Sequence, residues 1–137
     1  MRSAIAGAVL TLLAGATQAQ QTELGRIEYM SNCAQCHGID ATGNGVIAQY
    51  LTTAPPDLTV LQRENAGVFP FREVYDMIEG GGEIGPHGTR DMPIWGDRYA
   101  VEAQQILGFR LDPAESAAYV ESRILALIAY LSDLQQE

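Results

Sequence analysis

Two cysteines and one histidine are the residues of this 137-residue chain whose types and spacing carry chemistry: Cys33-Ala34-Gln35-Cys36-His37. No other cysteine occurs, and the second histidine is His87. C-x-x-C-H is the attachment signature of a c-type haem, in which each thiol adds to a vinyl group and the imidazole coordinates the iron. The spacing has a geometric reason. Two intervening residues within a helical turn direct both sulfurs to one edge of the ring and place the following residue over the metal. Three other chemistries use parts of the same string. A thioredoxin-like redox pair needs a strand before it in an α/β frame, whereas Glu23 to Asn32 reads as helical. A zinc site needs further soft ligands, and the sequence adds only His87. A structural disulfide between residues so close closes too short a loop to stabilise much. The expected cofactor is therefore one haem c, held by thioethers at Cys33 and Cys36.

The start of the chain bears on that chemistry. Met1-Arg2-Ser3 is basic, Ala4 to Leu13 is apolar and uncharged, and Thr17-Gln18-Ala19 offers small residues for cleavage, the pattern of an export signal. An apolar run of roughly 10 residues is short of the roughly 17 to 25 that span a bilayer. Residues 1-19 are thus expected to be a signal peptide cleaved near Ala19, and 20-137 a single domain in the periplasm, where bacterial haem attachment is completed. The mature 118 residues carry seven arginines and no lysine against 17 acidic residues, a net charge of −10. So acidic a chain lacks the basic patch that nucleic-acid binding needs, and an anionic membrane surface would repel it. At 47% apolar and 18% charged residues it is too hydrophobic for a disordered segment.

Three separated segments extend the pattern beyond the motif. Gly25, Tyr29 and Cys33 stand four apart, Asp91-Met92-Pro93-Ile94-Trp95-Gly96 surrounds a methionine, and Leu127-Ile128-Ala129-Tyr130-Leu131 lies near the end. Together they resemble a small bacterial monohaem class I cytochrome c over nearly the whole mature chain. There a glycine and an aromatic residue lead into the haem motif, M-P-x-W-G carries the distal methionine, and a closing helix crosses the opening one. The resemblance implies an all-α class I cytochrome c fold, wrapped around one haem.

A six-coordinate iron needs a second ligand. Met30 is on the same helical arm as His37 and cannot easily reach the opposite face. Met77 falls at helical spacing with Phe71, Val74, Tyr75 and Ile78, where a methionine is more often a core filler. His87, in Gly85-Pro86-His87-Gly88, is chemically able to bind iron and stays a competitor. Met92 follows the glycine-rich stretch 80-86, where backbone can approach the ring closely, and Pro93 stiffens the chain beyond it. His37 and Met92 are the expected axial pair. A thioether prefers ferrous iron and raises the reduction potential, whereas a second imidazole would lower it. The family resemblance further implies that a proline carbonyl, Pro56 or its neighbour Pro55, accepts the other N–H of His37. Trp95 and Arg90 are candidates for a haem propionate or for ordinary packing.

The remaining pattern is helical, with no alternation long enough for a sheet. Helices are expected over about 22-32 with Thr22 as cap, near 46-51, from Asp57 or Thr59 to before Gly67, and over 71-79 with Gly80 as stop. Residues 97-111 form an insertion before the last helix, with helical turns over 100-107; a connecting helix and a docking surface are its two readings. Asp112 caps the final helix, with Pro113 in its first turn, Glu115 near its positive end, and a stripe of Val120, Ile124, Leu127, Leu131 and Leu134. The function expected is a periplasmic one-electron carrier without enzymatic activity, passing electrons from a donor to an oxidase or other acceptor with a basic docking face. A haem subunit that stays bound to a periplasmic dehydrogenase is the alternative.

Overall fold

A computed structural model describes residues 19-81, 92-107 and 112-136. Within them the regular structure is entirely helical. Helix α1 covers 19-32, α2 Ala34–His37, α3 Leu61–Glu64, α4 Phe71–Glu79, α5 Trp95–Leu107 and α6 Pro113–Asp133, with a 3₁₀ turn at Ala48–Tyr50. None of them is long and apolar enough to cross a membrane. Of the expected signal peptide, residues 1-19, positions 1-18 lie outside the described residues, and Ala19 is helical.

The longest helix shows how its sequence defines it. Asp112 accepts from the Ala114 N–H (3.1 Å) while Glu115 accepts from the Asp112 N–H (3.2 Å), a reciprocal cap with Pro113 at the first helical position. Ile124, Leu127 and Leu131 of the apolar stripe are buried, joined by Ala126 and Ile128. Helix α4 matches its expected bounds and stops where Gly80 turns left-handed (φ 115°).

Two expectations are corrected. Thr22 is not the cap of α1, because helix already runs through 19-21; its hydroxyl instead donates to Asp133 Oδ2 at the far end of α6 (3.1 Å). The segment after Trp95 is a core element: α5 begins at Trp95 itself and buries Trp95, Tyr99 and Ala103, and it packs against both α4 and α6. Trp95 and Tyr99 approach with ring centroids 6.3 Å apart.

The core is one cluster of Tyr29, Ala41, Ile78, Trp95, Tyr99, Ile124, Leu127, Ile128 and Leu131. Helices α1 and α6 meet at Gly25, where a Cβ would overlap the Ala126 carbonyl and lie 2.9 Å from the Tyr130 Cβ. One turn on, the Tyr29 and Tyr130 rings are 5.3 Å apart. The glycine lets the two backbones touch, and the tyrosine fills the gap where they diverge.

Candidate functional site

The motif sits where α1 hands over to α2. Cys33 N donates to Tyr29 O (2.8 Å), and Cys36 N and His37 N both donate to Cys33 O (3.0 and 2.9 Å). Cys33, Cys36 and His37 are therefore held on one continuous coil of backbone. The Tyr29 hydroxyl donates to Gly38 O (2.7 Å) from a fully buried position and ties the far end of the motif back to α1. Both cysteines are free thiols and half-buried. Burial pushes the Cys33 thiol up to about 12, with the charges of Glu28 and Cys36 adding to it.

His37 is positioned by the loop that follows it. Gly43 N donates to His37 O (2.8 Å), and Gly43 itself is left-handed (φ 83°), with the Pro55 carbonyl where a Cβ would be. Leu58 N donates to Ala41 O (2.8 Å), and Asp57 caps the next turn through Thr59 N (2.8 Å). These contacts bring the Pro55-Pro56 segment against the imidazole. Burial lowers the His37 pKa, and the nearby Pro56 backbone carbonyl acts to raise it. Nδ1 of the ring is buried and makes no hydrogen bond.

Met92 is half-buried and packs on the same core cluster as Cys33 and Ala34. The other two methionines differ: Met77 on α4 and Met30 on α1 are 44% and 43% exposed. His87 and Arg90 lie outside the described residues. Trp95 is buried in the core, and the Arg98 guanidinium stands 4.9 Å over its ring.

A polar cluster beside the motif was not singled out in the sequence. Glu28 on α1 is buried, and its carboxylate accepts from Arg123 Nη1 of α6 (2.6 Å), from the Tyr99 hydroxyl of α5 (3.3 Å) and from Asn32 Nδ2 (3.1 Å). Arg123 also reaches the Tyr119 hydroxyl (2.8 Å), which donates to Glu102 (2.9 Å). The sequence signal was Arg123, a charge placed directly beside the apolar stripe of α6.

Among the described residues no three His, Cys, Asp or Glu side chains gather into a group able to hold a metal. The element preceding Cys33 is a helix, not the strand a thioredoxin-like motif requires. An open groove of about 520 Å³ between α4, α5 and α6 is lined by Tyr75, Glu79, Asp97, Val120 and Glu121 among others, and contains none of the motif residues. No family model, curated protein or solved structure matches the chain.

Proposed function

We propose that the chain is an exported one-electron carrier that would hold a single haem c through Cys33 and Cys36, with His37 and Met92 as the residues that would ligate its iron. The observation that carries the reading is the His37 imidazole. It is half-buried directly after two half-buried thiols, and its Nδ1 is buried with no hydrogen-bond partner. A buried ring nitrogen without a structural hydrogen bond that would explain it fits a metal ligand better than a core filler. The large apolar side chains left open to water, Ile39, Val46 and Tyr50 at 75 to 80% on the loop after the motif, fit a surface that further apolar material adjoins.

When bound, the haem supplies the one-electron iron couple. The chain's own residues have separate tasks. Cys33 and Cys36 tether the ring, while Tyr29 and the backbone bonds at Cys33 O keep the tether in helical register. The Pro56 carbonyl near His37 would orient the imidazole and strengthen it as a donor. Met92 offers a thioether from the core side, which favours the ferrous state and a raised potential. With His37 and Met92 both holding it, the iron would supply electron storage and release rather than substrate chemistry. The excess of carboxylates over arginines steers the protein toward a basic partner surface.

The test is a redox titration of the haem-loaded protein combined with carbon monoxide exposure of its reduced form. A reversible one-electron transition and no ready carbon monoxide binding are expected. Ready binding would show an open iron position and replace the carrier by a gas-binding or enzymatic role.

A further inference from the structure

We propose that Glu28 and Arg123 set the charge environment of the redox site, with Arg123 of α6 neutralising a buried carboxylate that otherwise lowers the reduction potential. The inference rests on the haem reading above and concerns residues that neither touch nor coordinate the iron.

Glu28 lies five residues before Cys33 on the helix that leads into the attachment motif. Its carboxylate is bonded to Asn32, the residue immediately before Cys33 (3.1 Å). The pair is shielded from water: the side chains of Glu28 and Arg123 are 9% and 19% exposed, with N and O 2.6 Å apart. Charges in such a site are little screened by solvent or salt.

Oxidation adds one positive charge at the iron. A nearby carboxylate stabilises that state and lowers the potential, and a nearby guanidinium does the reverse. In the native protein the two oppose each other. Tyr119 holds Arg123 in place (2.8 Å), its ring lies 4.8 Å under the guanidinium, and its hydroxyl passes the contact on to Glu102 of α5. Tyr99 contributes a neutral donor to Glu28. The arrangement therefore predicts shifts of opposite sign when either charge is removed, which a pair serving only to join helices would not give.

The experiment is equilibrium redox titration at pH 8 of the haem-loaded protein and its Glu28→Gln, Arg123→Gln, Arg123→Lys, Tyr99→Phe and Glu28→Gln/Arg123→Gln variants. Glu28→Gln is expected to shift the equilibrium about threefold toward the reduced form, about 28 mV upward at 59 mV per tenfold for one electron. Arg123→Gln is expected to shift it downward by a similar factor, and the double variant to return close to wild type. Tyr99→Phe and Arg123→Lys, which conserve charge, should leave the potential in place. Should Arg123→Gln fail to fold, Glu28→Gln against Arg123→Lys still decides. Shifts of the same sign, or no upward shift in Glu28→Gln, overturn the inference alone. A wild-type protein that carries no haem overturns the haem reading and this inference with it.

Discussion

Single residues decide what the motif can do. The proposed tether at Cys33 and Cys36 and the adjacent histidine were read from spacing alone. Sequence could not settle which proline carbonyl lies near the imidazole, because Pro55 and Pro56 are neighbours; of the two, only Pro56 acts on the His37 pKa. The methionine choice rested on position in the chain. The structure adds that Met92 packs on the core shared with Cys33, while Met77 and Met30 stand more open to solvent. Replacing Met92 by alanine should abolish the weak far-red absorption band of methionine-bound ferric haem and lower the potential, whereas Met77→Ala should preserve both. Absorption spectra of the oxidised proteins check this. A band that survives in Met92→Ala would transfer the ligand role elsewhere.

At the scale of elements, close approach and capping dominate. The last helix was readable nearly residue by residue, because Asp112, Pro113 and Glu115 form a local start signal and the apolar stripe repeats at steps of three and four. Helix α5 was less readable. Its early residues Trp95 and Gly96 belong to the string that follows the methionine, so its start was hidden within a stretch read for another purpose. Glu28 and Arg123 also escaped notice, since their partnership joins positions 95 residues apart and no local pattern announces it. The close approach of α1 and α6 at Gly25 gives a sharp expectation. In an exposed helix, glycine to alanine stabilises by about 1 kcal/mol. At Gly25 the added methyl would overlap the Ala126 carbonyl, backbone that cannot easily yield. Gly25→Ala should therefore destabilise the protein, by about 1–3 kcal/mol as for other overpacked sites. Denaturant unfolding of the two proteins measures it, and a gain in stability would contradict the packing described.

For the whole molecule, the regular structure of the described residues is all helical around one cluster of buried side chains, in agreement with the all-α class read from its periodicity. Composition had indicated a globule, and it did not show how the protein divides its apolar residues. Part of them form the core, yet Ile39, Val46 and Tyr50 remain largely open beside the attachment motif. The proposed haem gives those residues a neighbour, and it gives the two cysteines a use other than pairing with each other. The acidic balance belongs to this scale as well, since it acts through the field of the entire surface and no single carboxylate carries it.

The central claim is that this chain holds one haem by two thioethers. Its most direct test is the intact mass, under denaturing conditions, of protein exported from a bacterium equipped for haem attachment. The account predicts a species equal to the chain without residues 1-19 plus one haem, with that increment lost when Cys33 and Cys36 are both replaced by serine. A mass equal to the polypeptide alone, with the two cysteines reactive to alkylation, would contradict it.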